Sequence, residues 1–233
     1  MKIELKIAIA GLAVAGGAGL LVTRSFAADS HTGNAQRGAR IVASGTDYGV
    51  VACARCHAFD GAAEGSGAFP KLSGIPAYYL AKQLNDFASR QRDDAIMSAI
   101  ARKMTNPDIL DVAEYYAGVK GTPTPLPVNE GDLLTLGARL ATVGDEEKRI
   151  QACEGCHGAQ GLGEAPAIPP LAGQYGHYIA FQMRMWQKGY RKNDAAHQMS
   201  NIAAKLSARE IEALGLYFES SAPSGPNQLR REP

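Results

Sequence analysis

A five-residue pattern, Cys-x-x-Cys-His, occurs twice in this 233-residue chain and uses all four of its cysteines. It reads Cys53-Ala54-Arg55-Cys56-His57 and again Cys153-Glu154-Gly155-Cys156-His157, and the surrounding sequence repeats with it. Gly38-Ala39-Arg40-Ile41 returns as Gly137-Ala138-Arg139-Leu140, and Pro70-Lys71-Leu72-Ser73-Gly74 as Pro169-Pro170-Leu171-Ala172-Gly173. Tyr79-Leu80-Ala81-Lys82-Gln83-Leu84 returns as Tyr178-Ile179-Ala180-Phe181-Gln182-Met183. The offset stays at 99 or 100 residues until three more enter after Arg191. Two copies of one small domain is the economical reading.

Pro123, Pro125 and Pro127 alternate between the copies, which stops a helix and favours an extended connector. The expected division is residues 28–121 for the first domain, 122–128 for the linker, 129–222 for the second domain and 223–233 for a tail. Apolar spacing predicts helices near 34–44, 76–90, 94–103 and 107–119, then near 131–142, 175–188, 195–205 and 208–220. Ser207 and Glu210 have the spacing of a capping box, and Asn106-Pro107 opens the matching helix of the first copy. No long alternating run points to a sheet. The fold class is all-α: two tandem domains whose cores are thin for their size, so that a large apolar cofactor would complete them.

The N-terminus differs from the rest. Lys2 and Lys6 precede an apolar run from Ile7 to Val22, and small residues follow at Ser25, Ala27 and Ala28. This is the layout of a secretory signal, with cleavage expected before Ala28, or of an uncleaved N-terminal anchor. Either way the lysines stay cytoplasmic and the remainder is exported, soluble or tethered to the inner membrane by residues 1–27. Removing Lys2, Lys6, Arg24 and Glu4 with that segment takes the formal charge from +1 to −1. No basic excess points to nucleic acid.

Cys-x-x-Cys-His is the attachment signature of c-type haem: the two thiols add to the vinyl groups and the adjacent imidazole binds iron. Cys53, Cys56, Cys153 and Cys156 are the expected attachment points of two covalently bound haem c groups, with His57 and His157 as proximal iron ligands. A Cys₄ zinc site needs closer spacing than a hundred residues, and a redox dithiol needs no His after both pairs. The distal ligand decides between electron transfer and catalysis, since a thioether keeps iron six-coordinate. Six methionines occur: Met1, Met97, Met104, Met183, Met185 and Met199. In the repeat Met97 and Met199 coincide, whereas Met104 lies over Leu206 and Met183 over Leu84. Met97 and Met199 are therefore the candidate distal ligands, and Met104 and Met183 are packing.

Of the other histidines, His31, His177 and His197 have no counterpart in the opposite copy and read as ordinary polar side chains; His197 is the one rival to Met199. Gly74 and Gly173 mark tight turns close to the cofactor. The carbonyls of Pro70 and Pro169 either accept the proximal Nδ1–H or belong to simple loops. Arg92 and Arg191, also matched, either pair with haem propionates or are solvated. Phe87 and Trp186 read as helix-packing aromatics.

From about Asn34 to Ser220 these motifs together resemble the dihaem cytochrome c4 family: Cys-x-x-Cys-His, Pro-x-Leu-x-Gly, Tyr-x-x-x-Gln-Leu, and the stretch from Met199 to Ile211. The resemblance implies two class I cytochrome domains related by a pseudo-twofold, with Met97 and Met199 at the family's distal positions. It also implies a periplasmic electron carrier that takes electrons from a quinol-oxidising complex or a dehydrogenase and passes them toward a terminal oxidase. A cytochrome subunit of a dehydrogenase, such as a flavoprotein sulfide dehydrogenase, is the alternative. A dihaem peroxidase or thiosulfate dehydrogenase is a third reading; neither leading reading assigns catalytic residues to the chain. Ala58 departs from the glycine that commonly follows the attachment His, Met183 departs from the usual Leu, and the linker is richer in proline than expected.

Overall fold

The computed structural model describes residues 32–63, 67–120 and 131–221, which fall in one compact unit. The N-terminal segment, His31, the linker at 122–128 and the tail at 223–233 lie outside the described residues. The first half contains α1 (Ala35–Ser44), α2 (Ala54–His57), α3 (Ala77–Ala88), α4 (Met97–Ala101) and α5 (Asn106–Gly118). The second contains α6 (Gly131–Thr142), α7 (Glu154–His157), α8 (Gly176–Gln187), α9 (Gln198–Ala203) and α10 (Ala208–Ser220). A two-residue antiparallel ladder, β1 (Gly144–Asp145) against β2 (Ile150–Gln151), and the isolated bridges Arg92 with Arg191 and Glu164 with Ile168 are the β structure among the described residues. No helix among them is long and apolar enough to cross a membrane.

The helix boundaries follow local chemistry. The Asn34 side chain accepts the Arg37 amide and caps α1. Helix α5 starts one residue earlier than Asn106-Pro107 suggests: Thr105 is the cap, and Asp108 answers it in a capping box. Ser207 and Glu210 form the same box on α10, as the sequence predicts. The segments expected at 94–103 and 195–205 are helical only over α4 and α9. In the first, Asp94 Oδ1 accepts the amides of Ile96 and Met97, which delays the helix. In the second, Ala196 and His197 sit at φ +50° and +56°, so the chain turns left-handed before α9 begins.

Each half buries its own apolar cluster. Ile41, Val42, Leu80, Ile109, Val112 and Tyr116 fill the first; Leu140, Ile179, Met183, Ile211, Leu214 and Phe218 fill the second. Each such side chain contributes about 1.5–3 kcal/mol by leaving water. Met183 is in the second core and Met104 packs against the first, so both are packing residues, as their Leu counterparts predict.

The repeated Gly-Ala-Arg is explained by helix crossing. Helix α1 crosses α5 and α6 crosses α10. A Cβ on Gly38 would lie 2.0 Å from the Asp111 carbonyl oxygen, and one on Gly137 2.1 Å from that of Ala213. The backbones meet where only hydrogen fits. Gly137→Ala is expected to destabilise the protein by roughly 1–3 kcal/mol, because neither helix backbone can yield without disturbing the core. Gly155→Ala, with nothing within 4 Å of the added carbon, should be neutral or slightly stabilising in its helical turn. Urea midpoints of the two variants test the contrast.

Candidate functional site

Both Cys-x-x-Cys-His segments form single helical turns, α2 and α7, which the apolar pattern did not predict because they are only four residues long. The His57 and His157 amides bond to the carbonyls of Cys53 and Cys153 at 3.0 and 2.9 Å. That i, i+4 closure places the first sulfur and the imidazole on one face, with the second sulfur at i+3 beside them. All four cysteines are unpaired thiols. Burial pushes Cys53 and Cys153 each up to about 11, so neither is a ready thiolate. No cluster of three or more His, Cys, Asp or Glu side chains among the described residues could hold a metal ion, so the four sulfurs do not converge on a zinc site.

The residue after each turn must take a positive φ to release the chain. Gly158 does so at +74° without strain; Ala58 does so at +58°, where an L side chain costs about 1–2 kcal/mol. The departure from glycine at this place thus carries a penalty without changing the path.

The two imidazoles are buried, at 7% and 8% exposure. Burial lowers the pKa of each, more than the neighbouring carbonyl raises it, so both rings are neutral at physiological pH. His57 Nδ1–H donates to the Pro70 carbonyl at 3.1 Å, and His157 Nδ1–H to that of Pro169 at 2.9 Å. Of the two alternatives for these prolines, the structure shows the orienting one. It fixes the tautomer, with the proton on Nδ1 and the lone pair on Nε2, the nitrogen that could bind iron. Gly74 and Gly173 both turn at φ +71° and donate their amides to Tyr116 and Phe218, which seats each proline loop on the last helix of its half.

Met97 opens α4 and Met199 lies in the first turn of α9; both are half-buried, and Met199 packs against the second core. His177 and His197 are exposed, as expected of ordinary polar side chains.

Arg92 and Arg191 are not solvated. They are 7% and 6% exposed, they meet in an isolated antiparallel bridge, and their side chains join the two halves. Arg92 donates to Gln83 of its own half at 2.8 Å, and to Gln182 and Tyr178 of the other at 2.7 and 2.8 Å. Arg191 donates to Gln182 of its own half at 2.8 Å, and to Tyr79 and Gln83 of the other at 3.1 and 3.3 Å. The exchange is isologous, as a pseudo-twofold requires. Phe87 and Trp186 do more than pack helices: each lies beneath a guanidinium, with the arginine carbon 4.6 and 3.9 Å from the ring centroid. Burial and the like charge of Arg92 both pull the Arg191 pKa down, though a guanidinium stays charged. Two buried positive charges therefore face neutral hydrogen-bond partners. The sequence held the signal in Tyr-x-x-x-Gln, repeated with a matched arginine nine residues after each glutamine; spacing on one helix could not show that the partner was the other copy.

The residues fit haem c. Each half offers two thiols and a neutral imidazole on one turn, and among the described residues the buried Trp186 Nε1–H has no hydrogen-bond partner and the guanidinium beside it no ion-paired carboxylate. Cys53, Cys56 and His57 would hold one group, and Cys153, Cys156 and His157 the other.

No protein-family model matches the chain. The thiosulfate dehydrogenase electron acceptor of Stutzerimonas stutzeri is 37% identical over 177 residues, 75% of this chain and 81% of that protein. Cytochrome c4 of Pseudomonas aeruginosa is 35% identical over 175 residues, 73% of this chain and 84% of that one. Reduced cytochrome c4 from Pseudomonas stutzeri superposes with a TM-score of 0.72 at 31% identity, covering 81% of this chain and 99% of that one. The thiosulfate dehydrogenase of Marichromatium purpuratum superposes with a TM-score of 0.74 at 34% identity over 79% of this chain, which spans 39% of that longer chain. With two attachment turns on two class I halves, and cytochromes c4 matched over most of their length, the chain belongs to the cytochrome c4 family of electron carriers.

Proposed function

We propose that this chain is a periplasmic two-haem carrier that accepts electrons from a dehydrogenase and delivers them toward a terminal oxidase, with Met97 and Met199 as the distal iron ligands. The observation that carries it is the doubled site: in each half a buried neutral imidazole, tied through Nδ1 to a proline carbonyl, is paired in the sequence repeat with a methionine at a matched position. Bound haem c supplies a one-electron iron couple that needs no open coordination position. The residues of the chain hold that couple with little rearrangement. The proline carbonyls keep each imidazole in place, the buried clusters exclude water, and the arginine network holds the halves in one orientation.

Thiosulfate dehydrogenase is the favoured donor among dehydrogenases, because relatives at 37% and 33% identity are named as its electron acceptor. A quinol-oxidising complex is the competing donor, as the cytochrome c4 relatives leave it open. The full chain, made in a host with cytochrome maturation, is to be mixed with a thiosulfate dehydrogenase and thiosulfate, or with a quinol-oxidising complex and quinol, while the haem absorbance is followed. Rapid reduction in the first mixture is the expected result. Reduction in the second alone would transfer the donor role to the quinol-oxidising complex, and a colourless protein would overturn the proposal.

A further inference from the structure

The second half reaches into the first at the peptide that orients His57. The carbonyl accepting from His57 Nδ1–H belongs to Pro70, and the amide of that same peptide unit is the N–H of Lys71. This N–H donates at 2.9 Å to Oε1 of Gln174, which lies in the second half and is 7% exposed. Gln174 also donates through Nε2 to the Lys71 carbonyl at 2.9 Å, so its amide clasps Lys71 from both sides. Lys71 Nζ returns the contact by donating to the Gly173 carbonyl at 2.6 Å.

A peptide whose N–H is engaged has a more negative carbonyl oxygen, so bonds in such a chain strengthen one another by perhaps 10–30%. The sequence of contacts is imidazole to carbonyl, then amide to glutamine. A stronger acceptor at Nδ1 makes the imidazole more basic, which favours the more positive state of any iron bound at Nε2. The second half has no equivalent. Pro170 stands where Lys71 stands and has no N–H, and Ile75 stands where Gln174 stands and has no amide.

We infer that Gln174 is a positioning residue for the first iron site: acting through the Pro70–Lys71 peptide, it holds the couple at His57 at a lower potential than the same site would have alone, while His157 receives no such contribution. This deepens the two-haem reading and rests on it.

The test uses the intact holoprotein, with redox titration of both haems followed by optical and NMR spectra, each couple assigned by the resonances of its own haem. Gln174→Leu is expected to raise the His57 couple so that its oxidised-to-reduced ratio at fixed potential falls about threefold, roughly 30 mV for one electron. The His157 couple should stay in place, and the His57 Nδ1–H resonance should move upfield. Because Gln174→Leu also loosens the contact between halves, a second pair isolates the amide. Lys71→Pro and Lys71→Ala both remove the lysine charge, but only the proline removes the N–H, and it recreates the Pro-Pro already present in the second half. Lys71→Pro is expected to titrate above Lys71→Ala at the His57 couple alone. Equal potentials for that pair, or movement of both couples together in Gln174→Leu, would overturn the inference. Absence of a haem at His57 would instead overturn the underlying two-haem reading.

Discussion

Replacing Cys53 and Cys56 together by alanine is expected to halve the haem carried per chain and to leave the first half poorly folded, while the second half keeps its visible spectrum. The reason is the size of the first core. Its ten buried residues, of which Ala81 and Ala113 contribute little area, are a small cluster for a domain of about a hundred residues, and domains of that size are stable by narrow margins. Cys53 packs directly against this cluster, so the attached group extends the core from the place where the chain holds it. Whatever binds the folded half but not the unfolded chain contributes its binding free energy to folding. The haem-to-protein ratio and the far-ultraviolet dichroism of the purified variant check both parts. The distal positions give a milder companion result. Met97→Ala should leave both haems attached but turn one of them high-spin, and Met199→Ala should do the same to the other. A variant at either methionine with unchanged spectra would remove that residue from the ligand set.

The second large effect is expected at the arginines. Arg191→Met should cost roughly 2–4 kcal/mol, because it removes charge-assisted hydrogen bonds to Gln182, Gln83, Tyr79 and Asn193 and takes the donor from the buried Tyr79 hydroxyl and Asn193 Oδ1. Met retains the apolar stem over Trp186 but not the cation. Arg92→Met should cost a similar amount for the mirrored reason, through Gln83, Gln182 and Tyr178. The double variant should cost clearly more than the sum. The two guanidiniums share both glutamine oxygens, so either single variant leaves a guanidinium on each while the double leaves none. The relief of like-charge repulsion that softens each single is gained only once in the double. A double-mutant cycle by urea unfolding of the holoprotein measures the coupling. Strict additivity would mean that the two halves are not joined through this network.

Much of the site was legible in the sequence because its chemistry is local. Cysteine, cysteine and histidine within five residues stay near one another whatever surrounds them, so the motif was readable although the helical turns α2 and α7 that carry it were not. The same locality made the capping box at Ser207 and Glu210 readable. At α5 the cap lies one residue before Asn106-Pro107, because the Thr105 hydroxyl takes the Asp108 amide and the proline fits the first turn behind it. Helices α4 and α9 came out shorter than their apolar spacing because Asp94, and the left-handed turn at Ala196 and His197, set the starts.

By itself, then, the sequence determined the duplication, the two Cys-x-x-Cys-His motifs, the all-α class and which methionines are packing, since each follows from spacing within a few residues or from comparing the copies. Tertiary structure alone decided that Arg92 and Arg191 are buried across from each other, that Phe87 and Trp186 lie beneath them, and that Gln174 grips the peptide orienting His57. The hydrogen bonds of Arg92, Arg191 and Gln174 between the halves join residues about 90 to 110 positions apart. Matched spacing reveals that two copies share a motif, but only the packing of one copy on the other shows which side chains complete each other's hydrogen bonds.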